Sequence, residues 1–299
     1  MSDAKTILLA LLGVIAVAFS GFWIASIAAA RRKQAAALRT SPSAYELVVG
    51  FITDFLDTLG IGSFATTSVL YRSRKTIDDR LLPGTLNVGH ALPTVVQAFI
   101  YIQNVEVEIK TLVAMIVAAV LGSLLGAPIV ARWPRKLVQI GMGVALLVLC
   151  SILVYRQFGD PKGGESLGLE GTTFFLGIAG NFVLGVLMTI GVGLYAPCLV
   201  LVSLLGMNPR SGFPIMMGSC AFLMPLASVP FIRRGSYSPS AALGLTLAGI
   251  PAVLIAAFIV KDLPLYWVKW LVAVVVIYTA ITLLRAATRS SLPDATEET

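Results

Sequence analysis

Residues 54–63 read Asp-Phe-Leu-Asp-Thr-Leu-Gly-Ile-Gly-Ser, and a related stretch, Thr-Ile-Gly-Val-Gly, occupies residues 189–193. These stretches lie in two long apolar segments, at 45–71 and 171–205. Two glycines that flank a single residue favour a break in a helix, because glycine adopts backbone conformations that other residues avoid. We therefore predict that each segment is a helical hairpin that turns at its Gly-x-Gly.

The two hairpins belong to an internal repeat with an offset of 131 residues. This offset aligns 58–62 with 189–193, and the agreement continues as far as Pro83 and Pro214. We predict that three membrane spans follow each hairpin: 82–102, 111–131 and 137–155 after the first, and 213–232, 239–260 and 265–284 after the second. The repeats then cover 41–156 and 171–285, and an extracytoplasmic loop at 157–170 joins them.

The composition is that of a protein embedded in a membrane. Of the 299 residues, 57% are hydrophobic and only 12% are charged, and the mean hydropathy is +0.90. A soluble domain carries about 25% charged residues, so a soluble enzyme, a disordered chain and a nucleic-acid-binding module are excluded. We predict an all-α polytopic membrane protein in which residues 1–40 add an extra N-terminal span and a basic loop, and 286–299 form a tail.

The positions of the positive charges predict the topology. The net charge of +7 comes from 22 Lys and Arg against 15 Asp and Glu. If every segment crossed the membrane, Lys and Arg would divide 11 to 11 between the two sides, whereas two hairpins that leave on the side of entry divide them 15 to 7. Since cytoplasmic loops are enriched in Lys and Arg, the hairpins are favoured, with the N-terminus outside and the C-terminus in the cytoplasm. Three spans per half make the two halves inverted repeats.

Inverted repeats with broken helices are typical of secondary transporters, whose substrate site lies where the repeats meet. After each hairpin turn a new half-helix begins, and its free N–H groups and positive dipole end favour an anion. The candidate anion-binding residues at the two tips are Gly60, Ile61, Gly62, Ser63, Gly191, Val192 and Gly193. The alternative is that these glycines only allow helices to pack closely.

The first hairpin also carries two carboxylates, Asp54 and Asp57. They are three residues apart and therefore share one face of a helix. Charged carboxylates are costly within a bilayer, so this pair is suited to binding and releasing a coupling proton. Structural pairing and cation binding remain alternatives for both residues.

A polar stripe runs along the span that follows the first hairpin. Asn87, His90, Thr94 and Gln97 recur there at three- and four-residue spacing, and His90 is the single histidine of the chain. We predict that His90 and Asn87 orient the anion, with Ser219 at the matching place in the second half completing the cavity wall. The alternative is that the stripe forms interhelical hydrogen bonds that fix the packing.

The motifs of common enzymes are missing from the sequence. Nothing resembles a Walker A motif, a GxSxG or HExxH motif, or a cluster of metal ligands. The three cysteines, Cys150, Cys198 and Cys220, have no CxxC spacing. We therefore expect no enzymatic activity, no cofactor, no metal centre and no nucleic-acid partner.

The doubled hairpin motif resembles the TauE/SafE family of sulfite exporters and anion permeases. The resemblance rests on residues 57–63 and 189–193, each followed by a proline-containing span, and it covers about 45–285. It implies a bacterial inner-membrane permease for sulfite, sulfonates or related small anions that is driven by an ion gradient. The chain departs from the family pattern, in which the first hairpin is richer in glycine: Asp54 and Asp57 take places where small residues are common, and Ser63 replaces a third glycine.

These observations lead to three expectations of different kinds. The first is a secondary transporter that moves a small anion such as sulfite, a sulfonate or a small organic acid by alternating access, coupled to protons or another ion. The second is a cation or metal carrier that uses Asp54, Asp57 and His90 as ligands. The third is a membrane subunit or scaffold without transport activity. The lipid bilayer is a partner in each case, and the architecture is compatible with a homodimer.

Overall fold

A computed structural model describes residues 3–33, 39–130, 164–188, 193–260 and 265–289, together with positions 140–141, 143–144, 146–148, 151 and 155. Within these residues the chain forms ten helices. They are α1 (Asp3–Lys33), α2 (Ala44–Thr58), α3 (Ser63–Ser73), α4 (Leu82–Asn104), α5 (Ile109–Val130), α6 (Gly171–Met188), α7 (Tyr195–Leu204), α8 (Pro209–Arg234), α9 (Pro239–Val260) and α10 (Leu265–Arg289). The individual positions from 140 to 155 are also helical.

Four of the described helices have the length and apolar character needed to cross a membrane: Asp3–Arg32, Gly171–Met188, Pro209–Arg234 and Pro239–Ile259. The described residues contain no β-strand, only an isolated bridge between Ser166 and Met207. Large apolar side chains such as Val17, Phe175 and Phe258 are exposed on outward helix faces, where a bilayer would cover them. The chain is therefore an all-α, membrane-embedded protein.

The first hairpin turns where the sequence predicted. The N–H of Ile61 donates to Leu56 O at 3.1 Å, and the N–H of Gly60 donates to Asp57 O at 2.8 Å. This pair of bonds ends a helix in the Schellman pattern, which requires a left-handed residue just after the helix. Gly60 supplies it, with a φ of 94°. Gly62, with a φ of 80°, then directs the chain into α3.

The two ends of this hairpin lie side by side. The hydroxyl of Tyr45, at the start of α2, donates to Leu70 O near the end of α3 at 2.7 Å. The guanidinium of Arg74 stacks on the Tyr45 ring, 4.4 Å from its centroid. Because the chain returns to the place where it entered, α2 and α3 form a helical hairpin.

The second hairpin consists of α6 and α7. Residues 189–192, where the sequence predicts the turn, lie outside the described part of the chain. Its two ends also meet, since the bridge between Ser166 and Met207 joins the residues before α6 to those after α7. The hairpin is unequal, with 18 residues in α6 and 10 in α7, so the break lies well past its middle.

The first helix of each hairpin packs against a helix from the other half of the chain. α2 packs most extensively on α9, α6 packs most extensively on α5, and α4 and α8 lie against each other between these pairs. Glycines permit the close approach of α2 and α9. A Cβ on Gly50 would lie only 2.7 Å from Gly244 O, and a Cβ on Gly244 would lie 2.8 Å from Glu46 Cβ.

The N-terminal helix α1 packs along α4 and α8. Leu8, Leu12, Phe19 and Trp23 form its buried face. Its ends are tied to the bundle by hydrogen bonds, because Lys5 donates to Gln103 O at 3.0 Å and Trp23 donates to the Tyr237 hydroxyl at 3.2 Å. The predicted extra span is therefore an integral part of the helical bundle.

The helix bounds agree closely with the segments expected from the sequence. The hairpin at 45–71 is α2 with α3, and the predicted span at 239–260 coincides with α9. Most of the predicted span at 137–155, and parts of the loop at 157–170 and of the tail at 286–299, lie outside the described residues.

Candidate functional site

A small cavity lies between the tips of the two hairpins. The first hairpin contributes Asp57, Gly62, Ser63 and Phe64, and the second contributes Met188, Gly193, Leu194 and Tyr195. Thr94 of α4 and Cys220 and Met224 of α8 complete its wall. The centres of water molecules can reach about 20 Å³ of this space, which is room for about one ordered water. A larger ligand requires the hairpin tips to move apart.

Asp57 connects this cavity to the start of α3. Its Oδ1 accepts a hydrogen bond from the backbone N–H of Ser63 at 2.5 Å. Gly62, the N-cap residue of α3, has no side chain that could accept this hydrogen bond. The Asp57 carboxylate therefore caps the helix. One of the two helix starts predicted to hold an anion thus already holds an oxyanion from the protein itself.

A chain of hydrogen bonds leads from Asp57 to the second hairpin. Gln97 on α4 donates through Nε2 to Asp57 Oδ2 at 2.9 Å and to Thr58 Oγ1 at 3.1 Å. Its Oε1 accepts from the hydroxyl of Tyr195, the first residue of α7, at 2.7 Å. All these side chains are buried. Gln97 therefore links the tips of both hairpins.

Asp54 and His90 form a second buried unit behind the cavity wall. His90 Nδ1 lies 2.8 Å from Asp54 Oδ1, and His90 Nε2 lies 3.0 Å from Thr67 Oγ1 on α3. The side chains of Asp54 and His90 are both 0% exposed. Asp54 Oδ2 has no hydrogen-bond partner among the described residues. An ionisable pair in this position can carry a proton without contact with bulk water.

The predicted tip residues divide between the cavity and the packing around it. Gly62, Ser63 and Gly193 line the cavity. Gly60 instead faces the second half, where its Cβ position is 3.4 Å from Leu199 Cδ1, and the partly buried Ile61 packs on the hydrophobic core. Gly191 and Val192 lie outside the described residues.

The residues predicted to orient the anion lie elsewhere. Asn87 donates to Pro83 O of its own helix at 2.9 Å and does not line the cavity, which corrects the expected contact. The side chain of Asn87 reaches this carbonyl because residues four apart lie on the same face of a helix. His90 lies beside Phe64, with ring centroids 6.2 Å apart, and both its ring nitrogens are engaged by Asp54 and Thr67. Ser219 accepts a hydrogen bond from Asn181 at 3.0 Å, next to the cavity residue Cys220.

Sequence reasoning missed the partners that organise the site. Gln97 and Thr94 were recognised as members of the polar stripe but not as site residues, and Tyr195 and Thr67 gave no signal. The three- and four-residue spacing of the stripe indicates part of this network, since His90, Thr94 and Gln97 lie on one helix face and all are buried. The pairing with Tyr195 joins positions 98 residues apart, which periodicity within one helix does not reveal.

A further buried carboxyl side chain, that of Glu46, lies at the start of the first hairpin. Glu46, at 0% exposure, accepts hydrogen bonds from the Ser43 backbone N–H at 2.6 Å and from Ser240 Oγ of α9 at 3.2 Å. With the bond from Glu46 N to Ser43 Oγ, this forms a capping box at the start of α2. Glu46 thereby fixes α2 against α9, far along the helix from the cavity.

Sulfur-containing side chains form one wall of the cavity. Cys220 Sγ lies 3.6 Å from Met188 Sδ, and Met224 also faces the space. Among the described residues, no three His, Cys, Asp or Glu side chains are grouped so that they could hold a metal ion. No protein-family model, curated protein or solved structure matches this chain.

Proposed function

We propose that this chain is a secondary transporter for a small anion, such as sulfite, a sulfonate or a small organic acid, and resembles TauE/SafE permeases. The observation that carries the proposal is the cavity between the tips of two broken helices, lined from both sides by residues at helix starts. Sites of this construction are where secondary transporters bind substrate. The proposed location is the bacterial inner membrane, with transport by alternating access.

Helix positions support a duplication of the fold. A shift of 131 residues moves the bounds of α3 and α4 to 194–204 and 213–235, beside Tyr195–Leu204 for α7 and Pro209–Arg234 for α8. The shift also aligns the two helix ends. Lys75 and Gly206 both have positive φ and both end their helices in the Schellman pattern. Equivalent packing, with α2 on α9 and α6 on α5, is expected if α2 corresponds to α6 and α5 to α9.

Helix lengths support hairpins that enter the membrane without crossing it. α2 has 15 residues, α3 has 11 and α7 has 10. At about 1.5 Å per residue they measure about 22, 16 and 15 Å. Each is shorter than the roughly 30 Å of a bilayer core, whereas α6, with 18 residues and a length of about 27 Å, is long enough to be a candidate span on its own. With both ends of each hairpin together, the tips reach the interior of the bilayer.

Contacts between loops support the predicted inverted topology. On one side, Ser238 N donates to Thr85 Oγ1 at 2.9 Å, which joins a predicted cytoplasmic loop to the first turn of α4, at the predicted cytoplasmic end of that span. On the other, Glu108 N donates to Leu167 O and Asn208 N donates to Ser166 O, both at 2.8 Å, which joins three predicted outside loops. Such grouping is expected if each hairpin returns to the side from which it enters.

Labelling of single cysteines tests this topology. In a protein with Cys150 replaced by Ser, Arg74→Cys is expected to react with a membrane-impermeant maleimide only from the cytoplasmic side. Glu165→Cys is the matched control on the opposite side and is expected to react only from outside. Both positions are exposed, whereas Cys198 and Cys220 are buried. Labelling of both positions from the same side would contradict the inverted repeats.

The chemistry of the cavity favours an oxyanion. The first N–H of α3 already binds the Asp57 carboxylate, and the start of α7 has no side-chain cap. Helix starts bind anions through free N–H groups and the dipole, without a basic side chain. Asp54, His90 and Asp57 supply groups that can take up and release the coupling proton next to this site.

One observation favours the cation carrier as a second candidate. Asp54 Oδ2 is buried and has no hydrogen-bond partner among the described residues, as expected for an open coordination position. Against this, Asp54 Oδ1 and both nitrogens of His90 bond to protein groups, and so do both oxygens of Asp57. A cation would have to displace several of these bonds, so the anion is the better supported substrate.

Transport by purified protein in liposomes tests the proposal. The panel consists of sulfite, methanesulfonate, acetate, Na⁺ and Zn²⁺, each supplied with an inward proton gradient, with protein-free liposomes as the control. Uptake of at least one anion that depends on the gradient is the expected result. Uptake of only a cation would replace the proposal by the cation carrier, and no uptake of any panel member would favour a membrane subunit without transport activity.

A further inference from the structure

The hydrogen bonds that join the two hairpin tips form one directed chain. Ser63 N donates to Asp57 Oδ1 at 2.5 Å, Gln97 Nε2 donates to Asp57 Oδ2 at 2.9 Å, and the Tyr195 hydroxyl donates to Gln97 Oε1 at 2.7 Å. Asp57 is 2% exposed, Gln97 0% and Tyr195 6%, so water does not complete these bonds from outside. Asp57, Ser63 and Tyr195 also line the cavity.

The direction of donation follows from the charge of Asp57. An ionised carboxylate only accepts hydrogen bonds, so Gln97 must present its NH₂ group to Asp57 and its carbonyl to Tyr195. Tyr195 must then donate, which occupies its only proton. Thr58 agrees with this orientation, because its hydroxyl donates to Asp54 O at 2.8 Å and is left to accept from Gln97.

Protonation of Asp57 reverses the direction of donation along these hydrogen bonds. A proton on Oδ2 that points at Gln97 would face its NH₂ group, so the amide would turn and offer Oε1 to the new O–H, and the Thr58 hydroxyl would turn from Asp54 O to donate to the same Oε1. The NH₂ group of Gln97 then points at Tyr195, which becomes an acceptor and must direct its own O–H elsewhere. The cavity that Tyr195 lines is the space available to that O–H. One proton bound at Asp57 thus produces one additional donor in the cavity.

We propose that Gln97 is a positioning residue that transmits protonation of Asp57 to the Tyr195 hydroxyl, which then donates to an oxyanion in the cavity. The inference rests on the proposed anion transport and deepens it, because it makes proton uptake a condition for tight anion binding. The neutral Asp57 also removes a negative charge from the cavity wall. Proton and anion therefore bind together and leave together.

Other titratable groups surround Asp57 and define the necessary controls. Among the described residues they are Asp54 on its own helix, His90 and Tyr101 on α4, Tyr195 on α7 and Cys220 on α8. Tyr195 is joined to Asp57 through the Gln97 amide, which can turn, and its hydroxyl also lies within hydrogen-bonding reach of the Asp57 carboxyl group and of Thr94. His90 is bonded to Asp54 and Thr67, and Tyr101 donates to Thr58 O at 3.2 Å.

Infrared difference spectroscopy between pH 5 and pH 8 tests the relay on the full-length protein in liposomes, without any substrate. The acidic form is expected to show a carboxylic-acid band that is lost in Asp57→Asn, together with a tyrosine band that is lost in Tyr195→Phe. In Gln97→Met the carboxylic-acid band is expected to remain while the tyrosine band disappears. If that variant does not fold, ring-deuterated tyrosine in the wild-type protein identifies the tyrosine band instead. A tyrosine band that persists in Gln97→Met, or that is missing from wild type, would overturn the relay, as would a missing Asp57 band.

Binding of methanesulfonate separates the relay from the transport proposal, because the charge of this anion is constant over the same pH range. Wild-type affinity is expected to rise about 5- to 150-fold from pH 8 to pH 5, the usual size of coupling between two sites. The rise is expected to shrink in Gln97→Met and Tyr195→Phe. Equal pH dependence in wild type and both variants would overturn the relay while leaving anion transport intact. Intact infrared changes without transport of any panel anion would overturn the proposed function and leave the relay standing.

Discussion

Asp54→Asn is expected to lower proton-driven anion accumulation by about 10- to 100-fold, within the range of typical coupling between two binding sites. The amide keeps the size of the side chain and can still bond His90, but it cannot exchange a proton. Asp54 is fully buried, and the 2.8 Å contact joins it to the single histidine of the chain. The measurement is uptake of methanesulfonate, or of the panel anion with the highest rate, into proteoliposomes with an inward proton gradient.

Two comparisons show whether this loss is a loss of coupling. Exchange of labelled for unlabelled anion without a gradient is expected to continue in Asp54→Asn, because the cavity residues are unchanged. Asp79→Asn makes the same atomic substitution in an exposed carboxylate that pairs with Arg72 at the protein surface, and wild-type uptake is expected. Wild-type accumulation by Asp54→Asn would assign the Asp54–His90 unit to structure alone.

Gly50→Leu is expected to cause a large loss of stability. A Cβ at Gly50 would lie 2.7 Å from both Gly244 O and Leu245 Cα on α9. These neighbours are backbone atoms and cannot rotate away, so α2 and α9 must separate. Overpacking typically costs about 1–3 kcal/mol, and we expect the upper end of that range or more. Thermal unfolding in detergent, followed by circular dichroism, measures the effect.

Gly21→Leu is the matched control for this substitution. Gly21 is also in an apolar helix, but it is exposed and no atom lies within 4 Å of its Cβ position. Its midpoint of thermal unfolding is expected to stay at or slightly above the wild-type value, since leucine favours helix over glycine by about 0.8 kcal/mol. Equal stability of the two variants would show that α2 and α9 do not cross at Gly50.

The position of Asp57 provides a physical reason for coupling between proton binding and anion binding in the proposed transporter. Its carboxylate occupies the helix start that an anionic substrate would otherwise use. Ionised Asp57 and a bound anion would both seek the same N–H groups and would repel each other. In the proposed transporter, a proton that neutralises Asp57 would relieve the repulsion and would thereby couple the two ligands without a conformational change at a distance.

Much of the fold could be predicted from the sequence because it depends on local physical effects. Apolar runs of about 20 residues favour helices that cross a bilayer, and Gly60 and Gly62 mark a turn because they can adopt positive φ. The spacing of Asp54 and Asp57 places them on one helix face. Each of these inferences needs only neighbouring residues, so the helix bounds and the first hairpin turn agree with it.

The roles of polar side chains were less predictable, because their bonds join residues distant in sequence. Asn87 and His90 occupy the same stripe, yet Asn87 bonds its own helix and His90 bonds Asp54 and Thr67. Gln97 bonds Asp57, which is 40 residues before it, and Tyr195, which is 98 residues after it. A helical period places these side chains on one face but does not indicate which helix will lie opposite.

The sequence by itself determined that this is an all-α membrane-embedded chain with a glycine-based turn and a pair of carboxylates on one helix face. Only the tertiary structure decided that Asp57 caps α3, that Gln97 joins the two hairpins, and that a cavity lies where their tips meet. The physical reason is that apolar length and glycine conformation act within a single helix. Hydrogen-bond partners in a membrane interior are instead selected by the packing of helices from both halves.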